Sequence, residues 1–344
     1  MKERDLKRAY NNVLSQAIST SQKYLFAGNL FGDIFVLSLN ELDKGGDEPP
    51  EKLKVYPQGG DIDVNCLAFH RDFLIVGAIG LIYGIKWDEE NQSLSTERAW
   101  EVKIPMQVDA IEVPDVNSLW LCAETDTLYA GCGDGIIYQI SLEDGSISRE
   151  YRGHSDYIHS VVGQPDGRLY SCAEDGTVRL WCPKQKQHIS MIEPYKNAQL
   201  LRPDWGKWIG DIAVNEDWLL CGGGPRAALW HLRSLECTRT FDFPGRVHLC
   251  DFVDDSVLIG GEHDHVQFYT LTGELQANIH VENTSSYSAV WQMTPFKFMS
   301  IAGFSNKLHV LKDFRFLDSK VELYGNVQDE DKEEEDDDDD NASF

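Results

Sequence analysis

The sequence predicts an all-β chain: a closed seven-bladed propeller with a short N-terminal helix and a disordered acidic C-terminal tail. Three observations predict it. A short apolar strand ending in Gly or Ala, a turn and a second alternating strand recur seven times along the chain. The recurrences are evenly spaced, averaging about 46 residues between Gly28 and Gly303, against roughly 40–45 for one four-stranded propeller blade. One copy, residues 152–181, is fully marked by a Gly-His pair, an Asp-Gly turn and a closing Trp.

Residues 1–12 open the chain as a helix, because Leu6, Tyr10 and Val13 or Leu14 recur at helical spacing with no Gly or Pro between them. Leu6 and Tyr10 are candidate partner contacts on it. The propeller occupies residues 13–325. Its second strands are expected at 24–28, 73–77, 127–131, 169–173, 218–222, 257–261 and 299–303. The third strands follow at 33–37, 82–87, 135–140, 177–181, 227–230, 266–269 and 308–311. The outer strand of blade 7 falls within 314–317 or 321–324.

The fourth copy explains why the fold needs polar markers. His154 leads into the first strand, Ser171 lies on the second, Asp175 sits in the tight turn and Trp181 lies on the third. This is the WD-repeat signature. In that pattern the imidazole, carboxylate, hydroxyl and indole N–H form one buried relay, which survives only when every member is paired. Leu37, Ile140, Trp230, Tyr269 and Val310 fill the position of Trp181 in sister blades. Apolar packing replaces the relay there, which is nearly neutral when both partners go together. The fold class is a seven-bladed WD-repeat β-propeller.

Charge narrows the partners. The chain carries 57 acidic against 31 basic residues, a net charge of −26. Phosphate contacts need clustered Lys and Arg, so no direct sequence-specific nucleic-acid binding is expected. Basic proteins, or surfaces matched in shape, are the natural partners. Residues 326–344 form the tail; within 329–340, 11 acids face only Lys332. Such a block repels itself and stays solvated, or serves as an electrostatic lure for basic proteins. The eight cysteines contain no Cys-x-x-Cys pair. Together with a charged start that leads into no apolar stretch, this predicts a reducing, intracellular setting. The longest apolar run, residues 73–85, is shorter than the about 20 residues of a membrane helix and reads as two buried strands and a turn.

Two insertions break the rhythm. Residues 41–51 combine Gly-Gly with Pro-Pro and read as an exposed loop. Residues 194–207 join blades 4 and 5 and carry Tyr195, Leu200, Leu201, Arg202 and Trp205, with Trp208 directly after. Aromatic residues beside Arg are enriched at interfaces, so Tyr195, Leu201, Arg202, Trp205 and Trp208 are candidate partner-binding residues. The competing reading has Trp205 and Trp208 simply capping the propeller edge.

Chemical motifs are sparse. His154 and His159 belong on or beside a first strand, where His154 serves the relay. His263-Asp264-His265 lies in a turn of blade 6, and one turn offers too few ligands for a metal. Gly222-Gly223-Gly224-Pro225 lacks the Gly-Lys-Ser/Thr of a phosphate loop and reads as a close approach of backbones. No catalytic constellation, metal site or cofactor is expected. Trp230-His231-Leu232-Arg233 resembles the Trp-Asp-x-Arg box that docks some WD-repeat proteins onto cullin-type ubiquitin ligases, with His231 in place of Asp. Arg233 is therefore a further candidate contact, and a ligase substrate receptor is the alternative function.

Residues 152–159, 174–181, 208–210, 221–225, 229–234 and 271–275 together carry a more specific likeness. Over roughly residues 16–320 the chain resembles the family of THO complex subunit 6, WD-repeat proteins of the nuclear machinery that couples transcription to mRNA export. The run from Cys221 to Pro225 and on through Leu229-Trp230-His231-Leu232-Arg233-Ser234 is its most specific part. The resemblance implies a non-catalytic scaffold in the nucleus, acting in mRNA processing and export. It implies contacts with other THO subunits, notably the coiled-coil subunits 5 and 7. Cys182 follows Trp181 where the repeat pattern has Asp, and the acidic tail matches no motif of the family.

Overall fold

Apolar runs cut by tight turns build every sheet. The computed structural model describes residues 3–44, 53–58, 63–108, 110–185 and 187–325. They form seven four-stranded antiparallel sheets, each made of four consecutive strands. Blade 1 is Val13–Ile18, Tyr24–Asn29, Asp33–Ser38 and Lys54–Pro57. Blade 2 is Cys66–His70, Phe73–Ala78, Leu81–Asp88 and Ser93–Lys103. Blade 3 is Val116–Cys122, Thr127–Cys132, Ile136–Ser141 and Ile147–Arg152. Blade 4 is Ile158–Gly163, Leu169–Ala173, Val178–Trp181 and Ser190–Ile192. Blade 5 is Asp211–Val214, Trp218–Gly222, Arg226–His231 and Glu236–Asp242. Blade 6 is Val247–Val253, Ser256–Gly261, His265–Thr270 and Leu275–His280. Blade 7 is Ser286–Gln292, Phe298–Gly303, Lys307–Leu311 and Ser319–Glu322.

Burial follows each strand's place in its blade. Second strands are covered on both faces, so Tyr24–Asn29, Leu169–Ala173 and Phe298–Gly303 are buried at every residue. Outer strands such as Leu275–His280 show mostly exposed side chains. Seven buried apolar clusters lie among the described residues, one between each pair of neighbouring blades. In the cluster between blades 1 and 2, Trp87 meets Phe26 and Tyr24 edge-on at 5.1 and 4.9 Å. Such pairs add about 0.5–1.5 kcal/mol beyond their buried area.

First strands line the axis, each against the next, and blade 7 meets blade 1. The antiparallel order puts the outer-to-first connections and the second-to-third turns on one face, here the upper face. First-to-second and third-to-outer turns lie on the lower face. Gly176 makes the upper turn of blade 4 at φ +79°, a conformation that costs a side-chain-bearing residue strain.

The ring closes without sharing a strand. The outer strand of blade 7 is Ser319–Glu322, which overlaps only the second of the two expected segments. Side chains lock the seam. Tyr324 donates its hydroxyl proton to Asp33 and accepts Asn29 Nδ2 at 2.8 Å. Asn29 also bonds Asn11 at 2.8 Å, and Gln16 bonds the Ser288 carbonyl at 3.2 Å.

Several expectations shift. The helix expected over 1–12 is α1, Glu3–Ala9, because Val13 is claimed by the first strand. Of the loop expected over 41–51, residues 41–44 belong to a second helix, α2, Leu39–Lys44, while 45–51 lie outside the described residues. In blade 7, Leu311 and not Val310 occupies the position of Trp181: Leu311 pairs with Met299 as Trp181 pairs with Leu169. The tail, 326–344, lies outside the described residues. The apolar run at 73–85 is two strands, and among the described residues no helix is long and apolar enough to cross a membrane. All eight cysteines are free thiols, six of them buried.

Candidate partner-binding surface

The relay of blade 4 is assembled and buried. Trp181 Nε1 donates to Ser171 Oγ at 2.8 Å, Ser171 Oγ meets His154 Nε2 at 2.8 Å, and His154 Nδ1 meets Asp175 Oδ2 at 2.9 Å. Thr177 Oγ1 adds a bond to Asp175 Oδ1 at 2.7 Å. Burial pushes the Asp175 carboxyl up, but the bonds from His154 and Thr177 overcome it and hold it well below the usual carboxylate range. Burial pushes the His154 imidazole down against the pull of Asp175. A hydroxyl, an imidazole and a carboxylate in series recreate the order of a hydrolase triad. Ser171 has no exposed surface, however, and its oxygen is spent on Trp181. The chain of bonds fixes the turn and third strand of blade 4, and no substrate reaches it.

Above this blade the insertion between Ile192 and Asp211 spreads over the upper face. Two single-turn 3-10 helices, Pro194–Lys196 and Pro203–Trp205, shape it. Leu200 is buried, while Leu201 is 60% and Trp205 38% exposed. Tyr195 donates to Glu193 Oε1 at 2.6 Å, and Lys207 Nζ stands 5.5 Å from its ring centroid. Arg202 donates to the Trp208 carbonyl and lies 5.4 Å from the Trp208 ring. Burial pushes its guanidinium pKa down. Glycine makes this possible: a Cβ on Gly223 would collide with the Trp208 carbonyl, and one on Gly224 with Arg202. The Gly-Gly-Gly-Pro run is a cradle for Arg202. Beside it lies a cavity of about 430 Å³, lined by Tyr195, Leu200, Leu201, Pro225 and Phe243 among others.

Trp208 fills a gap in the inner ring. In five blades the first strand carries a bulge, which leaves Leu14, Asn117, His159, His248 and Tyr287 out of the pairing. Bulges re-aim a side chain, and these five line the mouth of the axial channel. Blade 5 has Gly210 at that place, where a Cβ would sit 2.8 Å from the Trp208 ring. The indole lies there instead, stacked on His248, which in turn lies 5.0 Å from Tyr287. Arg246 stands 5.9 Å from the Trp205 ring centroid and pairs with Glu262 at 3.1 Å.

The sequence-derived candidates therefore separate into three places. Tyr195, Leu201, Arg202, Trp205 and Trp208 share the upper face over blades 4 to 6. Leu6 and Tyr10 are exposed at the seam of blades 7 and 1, where Lys7 of α1 holds Asp33 at 2.9 Å. Arg233 is exposed in the third-to-outer turn of blade 5, hence on the lower face, just beyond the strand Arg226–His231. Sequence reasoning missed Arg246, His248 and Tyr287. Val247-His248 repeats the apolar-x start of Val13-Leu14, Val116-Asn117 and Ile158-His159, but Ser286-Tyr287 does not, and Arg246 lies outside the pair.

Comparison with known proteins agrees with this architecture. The family described as "WD domain, G-beta repeat" matches residues 145–182, the marked blade. The chain is 74% identical over 331 residues to "THO complex subunit 6" of Drosophila melanogaster, covering 96% of this chain and 95% of that one. It is 33% identical over 276 residues to "THO complex subunit 6" of Homo sapiens, 80% of each chain. Against "THO complex subunit 6" of Arabidopsis thaliana it is 26% identical over 282 residues, 77% of this chain and 75% of that one. A ring of seven blades, one fully marked WD repeat and near full-length similarity converge: the chain belongs to the THO complex subunit 6 family.

Proposed function

We propose that the chain is a non-catalytic scaffold subunit of a nuclear THO complex, acting in mRNA processing and export through protein–protein contacts, with the coiled-coil subunits 5 and 7 as its partners. The observation that carries this reading is the insertion over blades 4 to 6. It presents Leu201 and Trp205 outward on a frame fixed by Arg202, Trp208 and His248. Rigid aromatic and aliphatic anchors beside an apolar cavity are the usual core of an interface. The names of the relatives supply the complex, and the acidic balance leaves RNA contact to other subunits. The test is affinity purification of the tagged chain in mild salt from nuclear extract of its own cells. Wild type recovers the coiled-coil THO subunits, and Leu201→Asp with Trp205→Asp recovers much less of them. Equal recovery would move the interface elsewhere, and no THO subunit in the wild-type eluate would end the reading. Arg233→Asp keeps THO subunits in the eluate, whereas a ligase receptor would lose a cullin adaptor on that change.

A further inference from the structure

Blade 6 brings three imidazoles to one carboxylate. His263 and Asp264 lie in the turn after Ser256–Gly261, His265 opens the third strand, and His280 closes the outer strand as the cross-strand partner of His265. The donor atoms of His263, Asp264 and His265 lie within 4.8 Å of one another. His265 Nδ1 is 2.7 Å and His263 Nδ1 3.1 Å from Asp264 Oδ1, and His280 Nδ1 is 3.7 Å from Asp264 Oδ2. The His265 ring centroid lies 5.3 Å from that of His263 and 5.0 Å from that of His280.

We propose that His263, Asp264, His265 and His280 form a binding site for one zinc-class divalent ion at the upper, outer corner of blade 6. All three imidazoles turn the same nitrogen, Nδ1, toward the carboxylate. A tetrahedral ion about 2.0–2.2 Å from each N or O ligand holds its donors about 3.4 Å apart. Two of the separations, 3.1 and 2.7 Å, end on Asp264 Oδ1 near that value; the third, 3.7 Å, ends on Oδ2, and His280 swings in from the neighbouring strand when the ion binds. Three nitrogens and one oxygen suit zinc, nickel or copper. Magnesium and calcium ask for more oxygens than this corner offers. The frame is fixed without an ion, since Asp264 accepts Val281 N–H at 2.8 Å and His263 N–H reaches Gly261 O at 2.7 Å. The side chains are partly open to solvent, between 28% and 57% exposed, so an ion enters without unfolding the blade. Bound there, it clips the outer strand to the upper turn. One turn alone supplies too few ligands; the fourth arrives from the neighbouring strand.

Calorimetry of the chelator-stripped full chain with Zn²⁺ tests this, paired with Co²⁺ as an optical probe. The expected result is one Zn²⁺ per chain that Mg²⁺ in excess does not displace. Co²⁺ gives a tetrahedral visible spectrum with no thiolate charge-transfer band. His265→Gln and His280→Gln each weaken Zn²⁺ binding by roughly tenfold or more, at least what loss of an outer-shell partner of a metal ligand costs. Zn²⁺ also raises the melting temperature of wild type and not of the double variant. Unchanged affinity in both variants, displacement by Mg²⁺ as the acidic tail would give, or a thiolate spectrum overturns the proposal. Both side chains lie at the surface, and near-ultraviolet circular dichroism confirms the fold of each variant. If one fails to fold, the other carries the test.

Discussion

The indole of Trp208 lies on the imidazole of His248 with ring centroids 5.3 Å and planes 16° apart. Trp208 belongs to the insertion after blade 4, and His248 to the first strand of blade 6. The stack spans blade 5, which yields its place through Gly210. It converts an irregular segment into a fixed part of the upper face. Trp208→Ala is expected to cost about 1–3 kcal/mol, below the 3–5 of a fully buried Trp because this residue keeps part of its surface in solvent. Urea denaturation checks the cost. Protease cutting within 194–207 checks the loosening, and an insertion as resistant as in wild type would refute the anchoring role.

His154→Ala leaves Asp175 buried without its imidazole. The expected cost is on the order of 1–3 kcal/mol. Acid sharpens the test. Asp175 is held below its unfolded value, so its contribution is present above about pH 4 and is lost as pH falls through the folded value. His154 is held below its unfolded value near 6.5, so it too loses stability as pH falls. The stability gap between wild type and variant therefore narrows on acidification. A gap that stayed constant from pH 7 to pH 3 would count against the relay.

How much of this was readable from sequence depends on distance along the chain. The seven second strands and the relay were readable because their residues are neighbours: apolar runs end at turns, and His154 to Trp181 fits within one blade. The upper face was not. Trp208 fits only because Gly210 lacks a side chain, and it meets His159 of blade 4 and His248 of blade 6. The bulge that turns His159, His248 and Tyr287 inward leaves no mark in an alternating pattern. His280 joins Asp264 only through strand pairing. In blade 7, Leu308, Val310 and Leu311 are all apolar, so hydrophobicity could not choose the register that hydrogen bonding assigns to Leu311.

Tyr324→Phe tests the seam. The phenol joins Asn29 and Asp33 of blade 1 to the end of blade 7, and Asp33 is only 2% exposed. The ring still packs on Phe35 at 5.2 Å, so the change removes only the hydroxyl. Losing that partner of a buried carboxylate is expected to cost about 1–3 kcal/mol. Hydrogen exchange should quicken first in the strands of blades 1 and 7, since no shared strand holds them. Uniform quickening around the ring would show that the hydroxyl does not hold the closure.

His309 gives the sharpest pH dependence. Its side chain is fully buried in the third strand of blade 7 and accepts the Glu282 N–H at 2.8 Å through Nε2. Burial pushes its imidazole down to about 4, despite the pull of Glu282. In the unfolded chain the same group titrates near about 6.5. Between those values the unfolded state takes up a proton that the folded state refuses, so stability is full above pH 6.5 and falls as pH drops toward 4. The loss from this one residue reaches about 2–3 kcal/mol by pH 4.5. His309→Gln keeps an acceptor for Glu282 and cannot titrate. Between pH 7 and 4.5 wild type should therefore lose about 2–3 kcal/mol more than the variant, whatever the carboxylates contribute to both. Denaturant midpoints at the two pH values measure the difference. Equal losses would mean that His309 takes up its proton in the folded chain as readily as in the unfolded one, which is incompatible with Nε2 accepting the Glu282 N–H.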